Sequence, residues 1–166
     1  VTLLRDGFSV QVAKEKATEL LQKRIRELEM EGVNLIAVLC TEDFPRFKSK
    51  KLIIEPGKII QKLVQGILGE GKKVGVIIPS PGQLKQAKKK WRGMSPVIAV
   101  ASPYENPDEI ETAAKTLQDN DVNLTVLDCI GYTKQAKRKV QKVTGKPVIL
   151  PRTIIARVIK ELINSG

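Results

Sequence analysis

Val122-Asn123-Leu124-Thr125-Val126-Leu127-Asp128-Cys129 is a short apolar run closed by a thiol. A run of about four to eight apolar, β-branched-rich residues between turn signals reads as a buried strand, since a helix needs about ten or more. Val33-Asn34-Leu35-Ile36-Ala37-Val38-Leu39-Cys40 has the same composition and the same ending, and these are the only two cysteines of the chain. In an open parallel sheet, ligands collect outside the carboxyl ends of the strands. Cys40 and Cys129 are therefore expected where chemistry would occur. The alternative is a pair of inert structural thiols, because free cysteine is among the most buried residue types.

Outward from these runs the chain alternates strands and helices. The stripe Ala13, Ala17, Leu20, Leu21, Arg24, Leu28, stopped by Gly32, predicts a helix before the first run. A polar loop follows it, then a short strand Leu52-Ile53-Ile54 and a helix carrying Ile59, Ile60, Leu63, Val64, Ile67 and Leu68. Strands are then expected at Val74 to Ile78, Val97 to Ala101, Leu124 to Leu127 and Val148 to Leu150. Helices are expected at Gln83 to Trp91, Asp108 to Asp119, Thr133 to Val143 and Thr153 to Ile163. This alternation predicts an α/β protein with parallel sheets, and the nearly continuous Val/Ile/Leu strands suit a sheet covered on both faces. Two Rossmann-like or flavodoxin-like lobes are expected, residues 1–71 and residues 72–166, divided near Gly69-Glu70-Gly71-Lys72. A cleft between them would be the natural ligand site. The chain opens with Val1, and its residues through Phe8 hold no complete strand-helix unit, so the first lobe is expected to be truncated at its N-terminus.

Composition narrows the function classes. With 166 residues, 42% of them hydrophobic, the chain can bury a sizeable core. No apolar run approaches the roughly 20 residues of a membrane span, and no signal segment opens the chain, which predicts a cytoplasmic protein with no membrane partner. The absence of histidine excludes a Ser-His-Asp triad or a His-based metal site within this chain. A net charge of +11 raises nucleic acid as a partner. However, Lys48-Ser49-Lys50-Lys51, Lys88-Lys89-Lys90 and Lys137-Arg138-Lys139 lie in separate segments, and no RNP, zinc-finger or KH signature accompanies them. Nucleic acid is accordingly not the expected partner. A homo-oligomer is left open.

The strand ends, compared as a set, are Cys40-Thr41, Glu55-Pro56, Pro79-Ser80, Ser102-Pro103-Tyr104, Asp128-Cys129 and Pro151-Arg152. Loops that lead into helices offer backbone N–H groups and a positive dipole end, which suit a carboxylate and lower a thiol pKa. Thr41, Ser80, Ser102, Tyr104, Tyr132, Thr133 and Arg152 are the candidate substrate-binding residues. The hydroxyl residues Thr41, Ser80, Ser102 and Thr133 could equally be helix N-caps. Arg152 could fork a carboxylate or lie on the surface. Asp128 should point to the face opposite Cys129, which favours a structural role. Trp91 completes a helical stripe with Leu84 and Ala87 and belongs to the core.

Taken together, Val38-Leu39-Cys40-Thr41-Glu42-Asp43-Phe44-Pro45, Ile53-Ile54-Glu55-Pro56, Ala101-Ser102-Pro103-Tyr104, Leu127-Asp128-Cys129-Ile130-Gly131-Tyr132-Thr133 and Pro147-Val148-Ile149-Leu150-Pro151-Arg152 resemble the AroM family over nearly the whole chain. AroM-like proteins are associated with aromatic amino-acid metabolism, and their resemblance names no reaction by itself. More remotely, the arrangement is similar to the aspartate/glutamate racemase superfamily, in which each of two α/β lobes supplies a cysteine to a cofactor-free site. That likeness implies a cofactor-independent isomerase: Cys40 and Cys129 as base and acid on a small carboxylate, with no metal, nicotinamide or pyridoxal phosphate. This chain departs from the superfamily in three places: no Asn follows Cys40, Ile130-Gly131 follows Cys129 instead of Thr-His, and the acidic or hydroxyl group of the superfamily's first strand is not in this chain. The missing Thr-His after Cys129 favours the alternative, a non-catalytic regulatory protein that binds a small carboxylate or shikimate-like metabolite.

Overall fold

The computed structural model describes residues 2–3, 5–10, 12–104 and 106–163. They form an α/β protein whose contacts divide it into two units, Val1–Ile59 and Ile60–Gly166.

In the first unit, strands β1 (Thr2–Leu3) and β2 (Ser9–Val10) pair antiparallel, while β3 (Leu35–Ala37) and β4 (Leu52–Ile54) pair parallel. Helix α1 (Lys14–Met30) lays Ala17, Leu21, Ile25 and Leu28 against a core of Ile36, Val38, Phe44 and Phe47. Ile25 is the buried centre of that stripe, whereas Leu20, expected on it, is 54% exposed. The polar loop after β3 is held to α1 by side chains that imitate a strand partner. Gln22 accepts from the Lys48 N–H and donates to its carbonyl, both at 2.8 Å. The Glu29 carboxylate accepts from the Ser49 hydroxyl at 2.5 Å and the Lys50 N–H at 2.6 Å. These bonds hold the Glu29 carboxyl below its ordinary pKa, the Ser49 hydroxyl contributing most.

Helix α2 (Pro56–Ile67) begins in the first unit, and its Ile60 and Val64 pack in the core of the second. The division of contacts at Ile59 and Ile60 therefore falls inside a helix, and the Gly69–Lys72 stretch expected as a boundary follows that helix.

The second unit is a four-stranded parallel sheet. Its strands are β5 (Val74–Ile78), β6 (Val97–Val100), β7 (Leu124–Leu127) and β8 (Val148–Ile149), in the order β6-β5-β7-β8. A single-turn 3-10 helix (Pro81–Gln83) and α3 (Leu84–Lys90) follow β5. Helices α4 (Pro107–Asp119), α5 (Lys134–Thr144) and α6 (Pro151–Ile163) follow the next three strands. The strand period of two splits the apolar residues between the sheet faces. Val74, Val76, Ile78, Leu124, Val126 and Ile149 pack with α2, α3, Trp91 and Ile154. Ile77, Ala99, Leu127 and Val148 pack with Ile110, Ala114 and Leu117 of α4 and Val140 of α5. Each fully buried aliphatic side chain contributes about 1.5–3 kcal/mol.

The chain leaves β5 to one side for β6, then crosses to the other side for β7. The order therefore reverses between β5 and β7, and ligands of doubly wound sheets bind beyond the carboxyl ends at such a reversal. Pro79-Ser80 and Asp128-Cys129 follow those two strands.

Asp128 continues the alternation of β7 and turns toward α3, where its carboxylate accepts from Lys90 Nζ at 2.7 and 3.0 Å and from Trp91 Nε1 at 2.9 Å. Trp91 is fully buried, and Lys90 Nζ lies 5.2 Å from its ring centroid. A buried charge without its partner costs more than the pair contributes. Asp128→Leu should therefore destabilise the protein by about 3–5 kcal/mol in urea unfolding. The double variant Lys90→Met/Asp128→Leu should recover at least half of that loss. A double variant no more stable than the single one would show that the ion pair does not hold this strand end.

Candidate functional site

Cys40 and Cys129 occupy the same kind of turn. The Cys40 N–H donates to the Val38 carbonyl at 2.7 Å, and the Cys129 N–H donates to the Leu127 carbonyl at 2.8 Å. Such three-residue turns commonly end strands. Two residues before Cys40 the Val38 N–H donates to the Ile54 carbonyl at 3.0 Å, and one residue before Cys129 the Asp128 N–H donates to the Ile77 carbonyl at 2.9 Å. Each thiol thus follows a parallel strand on a turn that closes back on it. Both are half-buried, and neither forms a disulfide.

In the first unit Cys40 packs against the core of Ile25, Ile36 and Phe44. Thr41 beside it is buried, and its carbonyl lies under Gly57 in the first turn of α2. A Cβ at Gly57 would collide with that carbonyl and stand 3.2 Å from the Glu42 oxygen, so only glycine permits the approach.

Around Cys129 three strand ends converge. The Gly131 N–H donates to Cys129 Sγ at 3.3 Å, and the Tyr104 hydroxyl, from the loop after β6, is also hydrogen-bonded to the sulfur. The Tyr104 ring lies against Gly131: a Cβ there would stand 2.7 Å from Tyr104 Cζ. Ser102 shapes that loop, its hydroxyl accepting from the Tyr104 N–H at 3.2 Å while its own N–H donates to Glu109 Oε2 at 3.0 Å. Arg152, from the start of α6, donates through Nε to the Ile130 carbonyl at 2.8 Å and through Nη2 to the Gly131 carbonyl at 3.3 Å. Tyr132 is fully buried and donates to the Ala101 carbonyl at 2.7 Å, tying the β7 loop to the end of β6.

The remaining candidates have local roles. Ser80 is buried and caps the 3-10 helix after β5, accepting from the Gly82 N–H at 3.3 Å. Thr133 caps α5, accepting from the Ala136 N–H at 3.1 Å. Ser102, Tyr132 and Thr133 meet again in the wall of a pocket of about 250 Å³, with Pro103, Ile110, Gln135, Ala136 and Lys139. Lys139 Nζ lies 3.5 Å from Glu111 and 3.8 Å from Asp108. Several residues of these arrangements are not singled out by sequence, Glu109, Gly131 and Lys139 among them. Gly131 reads as an ordinary turn glycine, and Lys139 reads as one member of a solvated basic run.

Burial pushes the Cys129 thiol above its ordinary pKa of 9.0, and the nearby Asp128 carboxylate acts in the same direction. The Gly131 N–H and the Tyr104 hydroxyl oppose them. Tyr132 is pushed well above 10.0, again chiefly by burial and then by Cys129 and Asp128. Burial thus favours the protonated thiol at Cys129, and the two donors favour its anion. Among the described residues, no group of three or more Cys, Asp and Glu side chains could hold a metal ion. No helix of those residues is long and apolar enough to cross a membrane.

The two shifts have a signed consequence for stability. A folded state that holds these protons more tightly than the unfolded chain keeps its full stability below the ordinary value and loses it as pH rises through the folded one. Thermal unfolding should therefore show stability falling as pH climbs above 9.0, and the fall should be shallower in Cys129→Ala/Tyr132→Phe. Equal slopes in both proteins would contradict the burial effect.

The order of motifs along the chain agrees with one family as a whole. The family model described as AroM protein matches residues 1–163. Neither a curated protein nor a solved structure matches the chain. The match spans both units and both cysteine turns, and the chain belongs to the AroM family.

Proposed function

We propose that this AroM protein is a cofactor-independent isomerase that inverts a carbon next to the carboxylate of a small metabolite, with Cys40 and Cys129 as its two proton-transfer groups. The observation that carries this reading is the repeated turn: each unit ends a parallel strand on a cysteine whose N–H closes onto the carbonyl two residues earlier. A thiol suits the task because its surroundings set its pKa, burial raising it and hydrogen-bond donors or cations lowering it, so one cysteine can serve as acid and the other as base. In one direction Cys129, held as a thiol, gives its proton to the carbon while Cys40, as thiolate, takes the proton from the opposite face. The reverse direction exchanges the roles. Negative charge developing on the substrate would be met by donors at the strand ends, the hydroxyls of Thr41, Ser80 and Thr133 among them. Ser102, Tyr104 and Tyr132 complete the set as supports of the Cys129 loop.

A second reading has its own observation. The pocket that gathers Ser102, Tyr132, Thr133 and Lys139 has hydroxyls, an apolar wall and a cation, and its lining includes neither cysteine. A regulatory protein binding a small carboxylate or shikimate-like metabolite would need only that.

The two readings separate in one experiment on the whole natural protein. The enantiomers of aspartate and glutamate, with other small chiral carboxylates, are incubated with it in deuterium oxide. On the isomerase reading one of them exchanges its α-hydrogen, and Cys40→Ser or Cys129→Ser lowers racemisation by about a thousandfold or more. On the regulatory reading no carboxylate exchanges, both Ser variants bind the same ligand with unchanged affinity, and Lys139→Gln weakens binding. Exchange that persists in the double Ser variant would remove both thiols from the mechanism.

A further inference from the structure

The Cys129 loop is held in a way that its bonding to substrate does not require. Gly131 lets the Tyr104 ring approach so closely that a Cβ there would have to push the ring away, and the Tyr104 hydroxyl meets the Cys129 sulfur. The Tyr104 backbone is fixed in turn by Ser102, and the Ser102 backbone by Glu109 of α4. On the other side, Arg152 holds the Ile130 and Gly131 carbonyls, which leaves the Gly131 N–H directed at the same sulfur. Two donors from two different strand ends thereby converge on one thiol that is otherwise packed against the core cluster containing Ile77, Ala101 and Leu127.

We propose that Tyr104 is a positioning residue for Cys129, its hydroxyl and the Gly131 N–H together forming a two-donor cradle for the sulfur in its anionic form. Thiolate in an apolar pocket is costly, and hydrogen bonds to a charged acceptor are about twice as strong as neutral ones. The cradle therefore favours the charged form against burial, which is what a thiol needs if it must serve as base in one direction and acid in the other. This inference rests on the proposed acid–base role of Cys129 and assigns Tyr104 to the thiol rather than to the substrate. Arg152 likewise acts on the loop, since its Nε and Nη2 are given to backbone carbonyls. Among the described residues, the titratable groups that bear on the sulfur are Tyr104, Asp128 at the end of β7, and Tyr132 in the same loop. Glu109 of α4 and Arg152 of α6 act one bond further out, through the backbone they hold.

The test is a carbon-13 NMR titration of the two cysteine β-carbons in the whole natural protein, which requires no substrate. Tyr104→Phe keeps the ring on Gly131 and removes only the hydroxyl. It should raise the Cys129 midpoint by about one pH unit, the value of one charge-assisted hydrogen bond, and leave the Cys40 midpoint unchanged. Gly131→Ala, which pushes the ring away, should move the Cys129 midpoint in the same direction. An unchanged Cys129 midpoint in Tyr104→Phe would overturn the proposal, as would an equal shift at Cys40. A shifted midpoint in a protein that exchanges no carboxylate hydrogen would leave the cradle standing and reject the isomerase.

Discussion

The alternation of side chains along β7 is the constraint on which the second unit depends. Leu124 and Val126 face α2 and α3, Leu127 faces α4 and α5, and the alternation continues past the last residue of the strand. It sends Asp128 to Lys90 and Trp91 on one side, and Cys129 to the Tyr104 and Gly131 side on the other. Two adjacent residues thus acquire opposite tasks: the carboxylate anchors the strand end to α3, and the thiol stands beyond it. A slip of one residue would bury the thiol beneath α3 and leave Lys90 without its carboxylate. The ion pair and the register therefore hold each other in place.

The first unit reaches a similar end by other means. Its parallel pair β3 and β4 is short, and the loop after β3 is long. Gln22 and Glu29 of α1 supply to that loop the hydrogen bonds that a strand neighbour would supply. Cys40 is nevertheless set on the same kind of turn as Cys129, although its last backbone bond to the adjacent strand comes from Val38, two residues back, and that of Cys129 from Asp128, one residue back. Equivalent turns in unequal surroundings are what an acid–base pair would use: a like reach past the strand end, with surroundings that can tune each thiol separately. For Cys129 the tuning is visible as burial set against two donors.

Most of the secondary structure was legible because its signals are local. The apolar runs at Val74, Val97 and Leu124 became strands, and α5 starts at its Thr133 cap and stops at Gly145 with φ +65°. Leu20 and Ile25 show the limit of local reading. Both are apolar at near-helical spacing, but the stripe that faces the core drifts from Ala17 through Leu21 to Ile25, and Leu20 falls beside it. The run Val33 to Cys40 reads as one strand, yet pairing covers only Leu35–Ala37: at one end the Val33 N–H returns to the Leu28 carbonyl of α1, and at the other the turn at Cys40 closes on Val38. The family was legible for another reason: its motifs cover the whole chain in order, which a single motif cannot do. What the sequence hid were the long-range partners. Nothing near Gly131 shows that a tyrosine from another strand end lies on it, nor that Arg152 serves the loop backbone before any ligand.

The central claim is that two thiols on opposite faces of one carbon exchange its hydrogen. Its most direct test follows the label in the first turnovers of racemisation in deuterium oxide with the whole natural protein. A two-base site takes the proton with one thiol and returns a deuteron from the other. The first-formed product enantiomer should therefore carry deuterium while the remaining substrate enantiomer keeps protium. Deuterium appearing equally fast in both enantiomers would mean that a single group handles both faces, and would contradict the account.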